Sequence, residues 1–569
     1  MARLESLGKV HNADVLIVGG GLAGLWAAIR ALQCRPDLSV LVVDAAYIGK
    51  SGHAYFAQGQ LVTWLPEEDD LDEWVEDVAR GNEWLCPQDM VEDCLKNSLA
   101  RIEDHERFGI RYHRRKGTYW RQLCRGLTKV KLIHSPRIGG QGMMLALRGE
   151  ALRLGARLMS HVTALDLLRD SRGAAAGAVG MGIRDGVFHV FRAKSTVLCT
   201  NTFSFRSYFV YDQPGSGPVM AYKAGARVRN AEFHLLRPAS PKFYFEGQGT
   251  AATYGARFLD ARRRTFMERY DPVLGDRSDF PALVRAMVIE KQKGNGTFYF
   301  DTTTIPPGDR GLWSGESWQG YMDLAVRKLK DMGIDLFKDP QEYVPMYTVS
   351  KIGIRSDIRC ATDVPALFTA GFAQAFNLEI FNGWSIASTV WSGHRAGESA
   401  AAYAAGRRMP RQSHARVRDL KRLAYEGLER KKGGGLDPDA VVLKLQKILF
   451  PYDVFFIRKA DRLERALAAV LDLQAEAGRE MFAPDIHELV RFNDTRQMLI
   501  AAEMSLRASL LRTESRSSCF REDHAHRDDR SWLKWIDLRE GGGRMELTTE
   551  PVPFEGYKFR PPDLARTAV

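Results

Sequence analysis

The pattern of apolar and polar positions changes period several times along the chain. The run DVLIV (14–18) is continuous and β-rich, LWAAIRALQ (25–33) spaces its apolar residues at helical intervals, and LSVLVVDAA (38–46) is continuous again. Strand, helix and strand in that order predict a βαβ unit at the start of the chain. STVLCTN (195–201) carries another strand signal and precedes the helical-looking VMAYKAGA (219–226). From about 233 to 350 the pattern turns irregular, with aromatic and Gly/Pro-rich pieces, and predicts a separate domain inserted into the first. A strand and a small-residue turn return at ALFTAGFAQ (366–374), followed by the helical TVWSGHRAGESAAAYAAG (389–406). Beyond Pro410 helical spacing dominates for about a hundred residues, as in LERALAAVLDLQ (463–474) and TRQMLIAAEMSLRASLL (495–511), with glycine runs at 433–435 and 541–543 as loops.

At 569 residues the chain is too long for one simple core, and two or three domains are expected. The net charge of +11 raises the question of a nucleic-acid partner, but the arginines are dispersed among acids. Arg262-Arg263-Arg264 and Arg430-Lys431-Lys432 are short enough to be solvated faces, and no basic and aromatic stripe accompanies them. An anionic substrate or an acidic partner protein fits the charge, and no nucleic acid is expected. No run of about 18 apolar residues predicts a membrane span. The amino terminus runs into a strand without the regions of a signal peptide, so a cytoplasmic location is expected. The seven cysteines contain no C-x-x-C pair and are odd in number, which argues against a disulfide framework or an internal iron–sulfur cluster. No metal ligand set is read.

Gly19, Gly21 and Gly24 form G-x-G-x-x-G between the first strand and helix, and Asp44 stands 20 residues later at the end of the second strand. Glycines permit the turn and let backbone approach a pyrophosphate at the helix N-terminus, while the carboxylate accepts hydrogen bonds from a ribose. A bound dinucleotide follows from that context.

Which dinucleotide is suggested by resemblance. KSGHAYFAQGQL (50–61) resembles the flavin-contacting loop of the succinate dehydrogenase and fumarate reductase flavoprotein superfamily, through Ser51, Gly52, Gln58 and Gly59. ATDVPALFTAG (361–371), ending at Gly371, looks like its second flavin-binding strand, and ESRSSCFREDHAHRDDRSWLKW (514–535) is similar to its carboxy-terminal signature. The resemblance implies FAD and an α/β fold. A Rossmann-like FAD-binding domain would span 1–232 and 351–408, with an inserted α+β capping domain at 233–350 and a helical domain and tail at 409–569. His53 precedes A-Q-G by the four-residue spacing of the histidine that bonds covalently to flavin in the succinate dehydrogenase branch. The S-G-H here is one residue longer than the usual S-H, so a covalent link and a hydrogen-bonded neighbour both stay open.

The residues that serve fumarate chemistry in the superfamily are replaced here. Arg237 in AEFHLLRPAS stands for a histidine, TYGAR (253–257) lacks an acid, Phe280 stands for the proton-donating arginine, and MYTVSKIGI (346–354) and FNGWSIAS (381–388) lack a histidine and an arginine. These departures resemble the adenylylsulfate reductase α-subunit branch, which also shares Gly383 and Trp384 beside the flavin, with Ser385 following. Such subunits pair with a small ferredoxin-like iron–sulfur protein. The implied function is an FAD-dependent oxidoreductase acting on a small anionic substrate at flavin N5 and exchanging electrons with that partner. A reductase or dehydrogenase of a carbon–carbon bond is the alternative, and a nucleic-acid-directed or vestigial flavoprotein is a more distant one. Arg237 is the candidate anion binder, with an ion pair as its structural alternative. Lys351 and Tyr347 are further catalytic candidates, against solvation and packing respectively. His394 reads as structural. Arg516, Arg521 and Asp528 are expected in a salt-bridge network that ties the tail to the flavin domain.

Overall fold

A computed structural model of the chain describes residues 4–133, 139–207, 214–243, 247–314, 320–376, 378–379, 381–430 and 435–562. Lys431, Lys432 and the first two glycines of the run at 433–435 lie outside the described residues. The first strand, β1 (Lys9–Val18), runs parallel between β2 (Val40–Asp44) and the strand Phe188–Leu198. Its last four residues are buried, which explains an apolar run without polar alternation, since a central parallel strand is covered on both faces. Helix α1 (Leu22–Cys34) covers one face and packs against the helix Trp384–Ala404. A side chain at Gly393 would stand 2.5 Å from the Ala23 carbonyl oxygen, so this contact is made backbone to backbone.

The predicted strand at 366–374 is formed by Leu367–Thr369, which pairs in parallel with Phe188–Leu198 and returns the chain to the first sheet. Between these passages, the strands His234–Ala239, Gln341–Ser350, Phe298–Asp301 and Arg257–Leu259 form a four-stranded antiparallel sheet in that order. The helix Phe280–Gln292 packs on it. Phe258, Phe298, Phe300 and Tyr343 give this sheet its own apolar core. The aromatic density that made the segment look irregular is therefore a second, small core.

Four helices, His414–Glu429, Pro438–Leu449, Ala460–Glu480 and Ile486–Leu511, make up the carboxy-terminal bundle. The tail adds a hairpin that the helical reading did not contain: Lys534–Gly541 pairs with Arg544–Pro551 and joins Val228–Arg229. Its turn is the glycine run at 541–543, the residue type that hairpin turns favour. Its outer strand carries almost no buried residue and gave no apolar signal. The expected tail network is present around Arg516, which pairs with Glu514 at 2.7 Å and Asp529 at 2.8 Å and donates to the Glu83 carbonyl. Arg521 pairs with Asp523 at 2.8 Å. Among the described residues Asp528 forms no ion pair within 4 Å; its carboxylate caps a short helix by accepting from the Ser531 N–H at 2.9 Å.

Candidate active site

The turn between β1 and α1 is built around three glycines with different tasks. Gly19 takes φ +109°, a conformation that L side chains rarely adopt. A methyl at Gly24 would lie 1.8 Å from the Gly19 carbonyl oxygen, so Gly24 lets the helix close onto the turn. A side chain at Gly21 would meet nothing within 4 Å; it would point into a cavity of about 1060 Å³ that Gly21 lines. Asp44, at the end of β2, lines the same cavity and accepts hydrogen bonds from the N–H groups of Gly20 at 2.5 Å and Ala46 at 2.7 Å. Burial raises its pKa against those two bonds.

The loop after β2 forms the next stretch of wall. Ser51, Gly52, His53, Gln58 and Gly59 all line the cavity. Ser51 donates to the Tyr47 carbonyl at 2.8 Å, which fixes the loop start, and Gln58 accepts from the Thr250 hydroxyl at 3.2 Å. His53 opens the short helix His53–Phe56, and its Nδ1 lies 3.2 Å from the side-chain nitrogen of Asn201. An amide nitrogen only donates, so Nδ1 accepts and the neutral ring carries its proton on Nε2. Gly371, Gly383 and Ser385 line the opposite stretch, the last two at the N-terminus of the 21-residue helix Trp384–Ala404. A helix N-terminus presents partial positive charge to such a cavity.

Two arginines and a phenyl ring from three separate elements close the same cavity: Arg237 on the antiparallel sheet, Arg125 in the loop after the strand Arg121–Leu123, and Phe280 at the start of the helix Phe280–Gln292. Arg237, on the strand His234–Ala239, holds its guanidinium 4.9 Å from the Phe280 ring centre and donates to Gln248 at 3.3 Å. Arg125 sits 4.3 Å from the same ring and donates from Nε to the Ser278 carbonyl at 2.7 Å. Asp279, the N-cap of the helix Phe280–Gln292, accepts from the Ala282 N–H at 2.7 Å and also lines the cavity. Burial raises its pKa, and the charge of Glu83 adds to the rise. Arg125, Asn201 and Asp279 were missed in the sequence. Each is a single residue in an irregular stretch, and nothing in its neighbours marks it.

Four expected residues do not line the cavity; the first is Gly24, which sits behind the turn where its missing side chain lets the helix close onto Gly19. Tyr347 pairs with Leu236 across the sheet, whereas Arg237 pairs with Met346. Paired residues share a face and neighbours alternate, so Tyr347 faces away from Arg237. Its ring packs among Phe205, His234, Phe450 and Phe455, and burial pushes its pKa well above the usual tyrosine value. Lys351 is buried behind the strand end rather than solvated. Burial pushes its pKa down to about 7 despite the charge of Glu379, and its Nζ has no hydrogen-bond partner among the described residues. Trp384 is 1% exposed and packs against Phe376 in the apolar core, so its indole supports the helix start from behind. His394 is structural, as expected: it is 7% exposed with its ring 6.0 Å from that of Trp26.

Residues 14–383 match the FAD binding domain family, and residues 443–564 match the fumarate reductase flavoprotein C-terminal family. The chain belongs to the succinate dehydrogenase and fumarate reductase flavoprotein family. Its cofactor is FAD, and the open space at Gly21 together with the fixed carboxylate of Asp44 fits that cofactor. Over 553 residues it is 26% identical to a subunit of the fumarate reductase (CoM/CoB) of Methanothermobacter marburgensis, covering 90% of this chain and 95% of that one. In fold it superimposes on Escherichia coli quinol fumarate reductase with a TM-score of 0.86 at 21% identity, covering 97% and 98% of the two chains. Adenylylsulfate reductase of Archaeoglobus fulgidus gives a TM-score of 0.83 at 22% identity, covering 97% of each. The flavoprotein is thus an FAD-dependent oxidoreductase whose fold is common to both branches. Among the described residues no helix is long and apolar enough to cross a membrane.

Proposed function

We propose that this flavoprotein acts on a small anionic substrate held between Arg237 and the isoalloxazine ring, and exchanges the electrons with a ferredoxin-like iron–sulfur partner, in the manner of adenylylsulfate reductase. The observation that carries this reading is the continuity of one cavity from the glycine turn to Arg237. FAD supplies the redox chemistry at N5 when bound; the chain supplies orientation and charge. Arg237 would hold the anionic group, and the helix N-terminus at Gly383 and Ser385 would favour negative charge developing nearby. Phe280 has no proton to give, and the capping segment has Tyr254 where the family's substrate-gripping acid is expected. Both replacements speak against fumarate as substrate. The seven cysteines are unpaired and form no ligand group among the described residues, which suits a cluster carried by another chain. A cytoplasmic location suits such a partner.

The names of the sequence relatives favour a second reading, reduction or oxidation of a carbon–carbon bond. One experiment separates the two. The FAD-loaded protein is reduced or oxidised in the presence of AMP with sulfite, of adenylylsulfate, and of unsaturated and saturated dicarboxylates. Flavin reduction by AMP with sulfite supports the proposal; reoxidation by an unsaturated acid alone replaces it with the second reading.

A further inference from the structure

Arg125 is a buried guanidinium with one edge committed and the other open. It is 3% exposed, its Nε is held by the Ser278 carbonyl, and neither Nη1 nor Nη2 has a hydrogen-bond partner among the described residues. Both Nη atoms belong to a side chain that lines the cavity. Burial lowers its pKa only to about 10, so the charge persists at neutral pH. Two carboxylates, Asp276 and Asp279, attract it from nearby, yet each is tied to a backbone N–H, of Phe258 at 2.9 Å and of Ala282 at 2.7 Å. A charged group taken out of water with its donors unmet is costly, and native interiors tolerate it chiefly where something else completes the bonds. Here that partner must enter through the cavity.

Arg237 approaches from the strand His234–Ala239, and the two cations repel one another. The Phe280 ring lies 4.3 Å from one guanidinium and 4.9 Å from the other, and its negative face offsets part of that repulsion. Two forks around one apolar platform are arranged for a ligand group with several equivalent acceptor atoms.

We propose that Arg125 is the buried oxyanion anchor of this cavity and forms, with Arg237 and the Phe280 ring, a two-cation clamp. The clamp selects substrates whose anionic group offers two or more equivalent terminal oxygens, whether a carboxylate or a sulfur oxyanion. The inference rests on the reading of the cavity as an anion site and adds the residue that grips first. Its mechanism is positional: the Nε bond to Ser278 fixes the plane of the guanidinium, so both Nη atoms meet the ligand without further ordering.

The test uses the full chain loaded with FAD and two probes, sulfite and succinate. Binding is read from the flavin's visible spectrum and from the ligand-induced rise in melting temperature. Arg125→Gln is expected to weaken the better probe by about 10- to 150-fold, the loss of one charge-assisted contact, while flavin content stays unchanged. Tighter sulfite binding assigns a sulfur oxyanion, tighter succinate binding a carboxylate. Retention of full affinity by Arg125→Gln, with loss in Arg237→Gln, overturns the clamp and leaves the anion site standing. Full affinity in both variants, or no binding of either probe by the unmodified protein, removes the anion site as well. Should Arg125→Gln lose its flavin, Arg125→Lys decides: it keeps the charge without the fork, and affinity equal to that of the unmodified protein overturns the proposal.

Discussion

The Gly20 N–H donates to the Asp44 carboxylate at 2.5 Å, so the end of β2 is latched to the turn that follows β1. The latch fixes the carboxylate beside the one glycine of the turn whose missing side chain leaves open space. Gly21→Val therefore adds bulk to the cavity without a clash inside the protein. The variant is expected to fold with a melting temperature close to that of the cofactor-free parent, and to bind FAD at least about tenfold more weakly. Flavin absorbance of the purified variant at full occupancy would refute the role given to this turn.

Arg237 lines the cavity, where it donates to Gln248 at 3.3 Å and holds its guanidinium 4.9 Å from the Phe280 ring centre. Arg237→Ala should lower turnover of the physiological anion by about 1.5 to 3 kcal/mol of lost charge-assisted bonding. Its thermal stability should change far less. A collapse in melting temperature with full activity in the folded fraction would show that Arg237 is structural.

Tyr347 supplies the contrasting prediction, because its ring faces the aromatic core and not the cavity. Tyr347→Phe keeps that packing and should leave turnover unchanged. Tyr347→Ala should cost about 3 to 5 kcal/mol of stability, as for other buried aromatic truncations. Loss of turnover in the phenylalanine variant, with flavin retained, would return the hydroxyl to the active site.

Lys351 and Glu379 lie buried together behind the cavity, and burial drives their pKa values toward each other, to about 7 and about 8. Glu379 is raised from 4.5, so between about pH 4.5 and 8 the folded state holds a proton that the unfolded state has released. Stability from this group falls as pH rises through that window. Lys351 is depressed from 10.5, so between about pH 7 and 10.5 the unfolded state holds the extra proton and stability rises with pH. The melting temperature of Glu379→Gln relative to the parent should therefore improve from pH 5 to pH 8. A difference that stays flat across this range would mean that Glu379 titrates near its ordinary value.

The parts of the fold and site that the sequence made legible are those where a local pattern coincides with a local cause. The continuous run at 14–18 reports a strand covered on both faces, and Gly19, Gly21 and Asp44 carry a spacing tied to one ligand geometry. Arg237 was legible because its strand resembles a family motif. Tyr347 was misplaced because strand alternation reverses a side chain within one residue, and the register that sets it is decided by a partner strand more than a hundred residues away. Arg125 was silent for the same reason. Its meaning comes from Phe280 and Ser278, which only the fold brings to it.

His53 bears on how the cofactor itself is held. Its Nδ1 is engaged by the Asn201 amide at 3.2 Å, which leaves Nε2 as the nitrogen that a covalent link through this ring would use without breaking that bond. The four-residue spacing to A-Q-G favours such a link. The extra residue before the histidine is Gly52, whose φ of +82° turns the chain into the helix that His53 begins. This turn is where the sequence departs from the S-H pattern, and it resets the direction from which the ring leaves the backbone. We therefore expect FAD held without a covalent bond, with His53 as a hydrogen-bonding neighbour of the ring system. Acid denaturation of the yellow protein should release the flavin to the supernatant, and His53→Ala should weaken FAD by about 0.5 to 1.5 kcal/mol, the worth of one ordinary hydrogen bond. Flavin that stays with the precipitated protein, and no longer does so in His53→Ala, would establish the covalent link in its place.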